Sequence, residues 1–63
     1  MNAERRGRVR AVMDTLAEIQ GEEDEAFENL QDNLQDGNQG EQMAAASESI
    51  GDAIDSLAAV LGE

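Results

Sequence analysis

Four arginines are the side chains of this sequence best suited to chemistry. Arg5, Arg6, Arg8 and Arg10 lie within six consecutive positions and are its only basic residues. A guanidinium carries a planar fork of donors that grips a phosphate or a carboxylate at two points, so the cluster suits a phosphate or pyrophosphate ligand. It suits salt bridges equally well, and Glu22, Glu23, Asp24, Glu25 and Glu28 supply the carboxylates. Residue types alone leave both uses open. Phe27 is the one aromatic residue. It serves as a core side chain or as a surface on which a ring stacks, and Asn29 and Asn33 place polar amides close by, as a nucleotide pocket would need.

Other chemistries are poorly supplied. The chain has no histidine, cysteine, lysine or tyrosine, so acid–base or nucleophilic catalysis would fall to carboxylates and hydroxyls alone. We therefore expect a non-enzyme with no catalytic residue and no cofactor. Asp32 to Met43 has a glycine at the sixth position, as a calcium loop of the EF-hand type does. Leu34 stands where its third-position ligand belongs and Met43 where its bidentate glutamate belongs, so the segment reads as a turn. Glu22 to Glu25 occupy successive helical positions and point around the cylinder instead of converging on one ion. No metal site is expected.

Charge separates along the chain. The first ten residues hold all four arginines and one acid, whereas the remaining 53 hold fourteen acids and no base, for a net −11. Such a body repels nucleic-acid phosphate and anionic lipid, so neither nucleic acid nor membrane is an expected partner. No apolar run approaches the ~20 residues of a membrane span, and the basic start is not followed by the apolar stretch of a secretory signal. The expectation is a soluble intracellular protein.

The elements that would position these residues are helical. Proline is absent, and the apolar positions Val9, Val12, Met13, Leu16, Ile19, Phe27, Leu30 and Leu34 share one helical meridian. That pattern predicts a helix over about 3–35, roughly 50 Å long, with Gly21 as its weak point. Gln35 to Gly40 reads as a turn, with Gly37 in the left-handed conformation that closes a helix and Asn38 and Glu41 as a capping box opening the next. A second helix over about 39–61 carries Met43, Ile50, Ile54, Leu57 and Leu61 at heptad-like spacing. The reading is an all-α antiparallel helical hairpin, one domain over 1–63, assembling into an oligomeric helical bundle.

Self-association follows from size. A chain of 63 residues with no cysteine to staple it buries too small a share of its surface for comfortable stability. The second helix, about 35 Å long, would cover only the C-terminal part of the first. Val9, Val12, Met13, Leu16 and Ile19 would then keep an uncovered stripe, and a second copy is the simplest cover. Arg5 and Glu23 interrupt that stripe. If two first helices pair antiparallel about Asp14, residue i faces residue 28 − i, which sets Arg5 against Glu23 of the other copy.

One stretch carries a resemblance. Glu-Glu-Asp-Glu-Ala-Phe-Glu-Asn-Leu at 22–30, Leu34-Gln35, the basic start with Arg5-Arg6, and Asp52-Ala53-Ile54-Asp55-Ser56-Leu57 are similar to a family of small acidic two-helix proteins of phage and prophage genomes. Their pattern is an acidic run, Ala-Phe-Asp-Asn-Leu-Pro-Glu-Ser-Leu-Gln, a glycine-bearing turn and a second helix. This chain departs at Gln31-Asp32-Asn33, where the family has Pro-Glu-Ser. Phage proteins of this size include sponges that sequester nucleotide signals of bacterial immunity, among them the ADP-ribose-derived messengers of Thoeris defence.

The resemblance implies stoichiometric capture of such a messenger at a subunit boundary. Arg5 and Arg6 would meet its pyrophosphate, Phe27 would pack on a ring, and Asn29 or Asn33 would read polar edges. Net charge opposes long-range attraction of an anion, so local focusing by the arginines would have to overcome it. Two other classes compete: an acidic helical surface that imitates DNA and inhibits a host or defence protein, and a structural oligomer without a ligand.

Overall fold

A computed structural model describes all residues, Met1–Glu63, as three helices: α1 (Ala3–Glu28), α2 (Asp32–Gln35) and α3 (Asn38–Leu61). The backbone spans 48 × 15 × 13 Å, the shape of two long helices side by side. No helix is long and apolar enough to cross a membrane.

α1 begins on Asn2, whose side-chain Oδ1 accepts from the Arg5 backbone N–H at 2.9 Å and so satisfies one of the open donors of the first turn. The helix runs unbroken through Gly21 and ends at Glu28. The expected helix over 3–35 is thus seven residues too long. Asn29 closes α1, and Gln31 takes an extended conformation (φ −61°, ψ 145°) that turns the chain before α2 begins. The uninterrupted apolar spacing pointed to continuation, but the last carbonyls of α1 find a different partner. The Gln35 side chain donates to the carbonyls of Phe27 and Leu30, each at 3.3 Å. One amide thereby ties α2 back over the end of α1.

The turn into α3 also differs from expectation. Gly37 has φ −90° and is the N-cap of α3, with no side-chain cap. The Asn38–Glu41 capping box does not form, because Asn38 is already inside the helix and the Gly37 carbonyl receives the Glu41 N–H at 2.9 Å. The left-handed glycine is Gly62 (φ 78°) at the end of α3, where it closes the helix in the manner described for C-terminal glycines. Gly40 is required for a different reason: a Cβ there would sit 2.0 Å from the Gln35 carbonyl oxygen. The first turn of α3 packs directly on the backbone of α2.

α1 and α3 lie antiparallel. Arg6 reaches the Leu61 carbonyl and Gln20 reaches the Ser47 carbonyl, and each pair of numbers totals 67, so residue i stands opposite 67 − i along the hairpin. Because α1 stops at Glu28, α3 extends back over nearly all of it. This corrects the expectation that only the C-terminal part of α1 is covered. Val9, Met13 and Leu16 are half-buried, together with Arg6, Gln20, Glu23 and Phe27 at alternating spacings of three and four. Gly40, Met43, Ser47, Ile50, Ile54, Leu57 and Leu61 form the matching line on α3. This is the spacing of an antiparallel coiled-coil seam.

The seam is thin. Leu61, at 4% exposure, is the only buried apolar side chain, and the chain exposes 4536 Å². A compact folded monomer of 6.8 kDa would expose ~3950 Å². A single hairpin therefore leaves roughly 600 Å² more surface in water than that reference.

Candidate functional site

The four arginines divide into two pairs. Arg6 Nη2 donates to the Leu61 carbonyl at 2.8 Å, which ties up one of the open carbonyls at the C-terminus of α3 and places positive charge at the negative end of its dipole. Arg10 pairs with Glu63, both side chains about half exposed. Arg5 and Arg8 make no side-chain hydrogen bond or ion pair within the chain. They rim a shallow groove of about 360 Å³ whose other walls are Met1, Val9, Val12 and Leu57. An apolar floor with two unpaired guanidinium groups at its edge can hold a molecule that combines an anionic group with a flat or apolar body.

The remaining residues singled out from sequence lie elsewhere. Phe27 is half-buried near the hairpin turn, opposite Gly40 in the register set by the two cross-helix contacts. It is 22 residues from Arg5 along one helix, or ~33 Å. Asn29 is the exposed C-cap of α1, and Asn33 is exposed in α2. Within one chain, Arg5 and Arg6 belong to one end of the rod and Phe27, Asn29 and Asn33 to the other. Within one chain the two groups do not meet.

The seven residues expected at a subunit interface also separate. Val9, Met13, Leu16 and Glu23 are half-buried on the seam against α3, whereas Arg5, Val12 and Ile19 remain exposed. Glu23 makes no hydrogen bond or ion pair there. Arg8 and Leu57 were not anticipated as groove residues. The 3–4 alternation of Arg5, Arg8, Val12, Thr15 and Ile19 was visible in the sequence, but it was overshadowed by the stronger stripe of Val9, Met13 and Leu16.

The two flanks of the hairpin have opposite character. Arg6, Arg10, Gln20 and Asp24 carry every polar side-chain contact from α1 to α3 and the residues that follow it, including the bond that Ser47 Oγ donates to the Asp24 carboxylate. At 100° per residue these four fall within an arc of about 80°. Val12 and Ile19, at 51% and 43% exposure, lie on the other side of the seam. Leu57 joins Val12 in the groove. Ala53 and Val60, four before and three after Leu57, extend the same flank of α3. One flank is thus closed by polar bonds and the other presents open apolar surface.

No group of three or more carboxylates is placed to hold a metal ion. No protein-family model, curated protein or solved structure matches the chain.

Proposed function

We propose that the protein is a non-enzymatic binding protein that associates with itself and sequesters an anionic, nucleotide-derived molecule at its subunit boundary. The observation that carries this reading is the pair Arg5 and Arg8, unpartnered in a chain of fifteen acids and set at the edge of an apolar groove. A phosphate or pyrophosphate would take the two guanidinium groups, and a base or sugar would lie over Val9, Val12 and Leu57. Arg6, committed to the Leu61 carbonyl, would hold the groove in place instead of binding. Phe27, Asn29 and Asn33 would enter the site from the second copy. The likeness of residues 22–35 to acidic phage proteins supports an anti-defence role in a bacterial host cytoplasm, with messengers of the ADP-ribose type as the ligand class.

The test is native mass spectrometry of the purified protein, alone and with ADP-ribose or cyclic dinucleotides. A discrete mass increment that is lost in Arg8→Ala supports the reading. Unchanged binding in Arg5→Ala and Arg8→Ala would place the ligand elsewhere, and no increment with any probe would remove the sequestering role.

A second reading has its own observation. Only Glu63 among the fifteen acids forms an ion pair within the chain, so nearly the whole negative surface is open to a basic protein partner, as a mimic of DNA would require. Stepwise neutralisation of Glu25, Glu28 and Asp32 would then weaken inhibition of that partner gradually, while loss of Arg8 would leave it intact.

A further inference from the structure

We infer that the open flank of the hairpin is covered by a second copy of the chain, with the two α1 helices antiparallel and residue i facing residue 27 − i. The inference rests on the self-association in the reading above and is independent of any ligand.

The polar flank has its bonds made within the chain, whereas the other flank exposes Val12, Ile19 and Val60. On α1 this flank follows its own 3–4 line: Arg5, Arg8, Val12, Thr15, Ile19, Glu22 and Ala26; Met1 precedes the helix and joins Arg5 in the groove. The line is self-complementary under a two-fold axis. Arg5 meets the partner's Glu22, Arg8 meets the partner's Ile19, and Val12 meets the partner's Thr15. Basic residues occupy its N-terminal end and acid its C-terminal end, so antiparallel pairing joins opposite charges twice, and parallel pairing of α1 with α1 would stack arginine on arginine.

The seam observed between α1 and α3 moves the register by one residue from the sequence expectation. Glu23, expected opposite Arg5, is half-buried on the intrachain seam, and Glu22 is the exposed acid. The shifted register also sets the partner's Ala26 and Phe27 beside Met1, next to the Arg5–Arg8 groove. Each dimer then contains two such composite grooves, in which the five donors of Arg5 serve both the partner's Glu22 and a bound anion.

The experiment uses the absence of cysteine from the natural chain. In Arg8→Cys/Ile19→Cys the two thiols are ~16 Å apart along one helix, too far for a disulfide within the chain. The Arg5–Glu22 pairing stays intact. Air oxidation should give a covalent dimer on non-reducing gels in the double variant and in neither single variant. Sedimentation equilibrium supplies the independent reading: the parent should be a dimer, Arg5→Glu should raise its dissociation constant ~10-fold, and Arg5→Glu/Glu22→Arg should restore it. A non-covalent dimer that fails to cross-link and is indifferent to the charge reversal would overturn the register while leaving self-association standing. A parent that sediments as a monomer at tens of micromolar would overturn the inference and the self-association together, whatever ligand it binds.

Discussion

Replacing Gly40 with alanine should destabilise the protein, although alanine is the better helix former. The Cβ would sit 2.0 Å from the Gln35 carbonyl oxygen, 2.5 Å from its carbonyl carbon and 2.7 Å from its Cα. Ordinary contact begins near 3.4 Å, so α2 would have to withdraw from α3 by roughly 1.4 Å. The obstructing atoms are backbone, which cannot rotate aside. Withdrawal would also strain the two bonds from the Gln35 amide to Phe27 and Leu30. Overpacking of this kind costs ~1–3 kcal/mol, and rigid neighbours favour the upper end. The propensity gain of ~1 kcal/mol offsets part of it. The net is about 2 kcal/mol, or a fall in Tm of roughly 10 °C for a domain of this size. Gly21→Ala is the internal comparison, because its Cβ would meet nothing within 4 Å. That variant should gain up to ~1 kcal/mol. Both are read by thermal melts followed by circular dichroism at 222 nm and at one protein concentration. A Gly40→Ala melt at or above the parent's would refute the close approach of α2 to α3.

Three further outcomes are expected. Gln31→Pro should be tolerated or should stabilise by ~0.5–1 kcal/mol, since Gln31 already has φ −61° and its backbone N–H makes no bond within the chain; a drop of several degrees in Tm would count against the break between α1 and α2. Gln35→Ala should cost ~1–2 kcal/mol by stranding the Leu30 carbonyl and leaving the Phe27 carbonyl with only its bond from the Leu30 N–H, and a double-mutant cycle with Gly40→Ala should show coupling, because both act on one joint. Raising salt from 10 to 300 mM should stabilise the parent by screening the repulsion of eleven excess negative charges, while the Arg10–Glu63 pair, exposed on both sides, gives back less than ~1 kcal/mol. Melts that shift downward with salt would mean that ion pairing outweighs repulsion.

The helical class, the hairpin and the extent of α3 were legible because its apolar residues keep helical spacing from end to end. The end of α1 was not. Phe27, Leu30 and Leu34 keep helical spacing straight across the break, and only the Gln35 amide and the bare backbone at Gly40, both tertiary contacts, reveal that the chain turns at Gln31. From that one misplaced boundary follow the overestimated length of α1 and the underestimated cover by α3. The arginine cluster was evident from composition, but its division was not. Whether Arg6 or Arg5 reaches Leu61 depends on the antiparallel register, which spacing alone does not determine. Glu22 and Glu23 are neighbours of identical chemistry, and only packing against α3 assigns one to the seam and one to the surface.

The thin seam has a consequence for how much of the protein a cell must make. With one buried apolar side chain, itself 4% exposed, a lone hairpin holds little free energy of its own, and the second copy proposed above to cover its open flank would supply much of what keeps it folded. Fold and supply would then be linked by mass action. Below a threshold of synthesis, single copies would open and be degraded; above it, they would protect one another, and the pool would rise steeply. Such a dimer would switch on with dose, without any regulator beyond its own concentration.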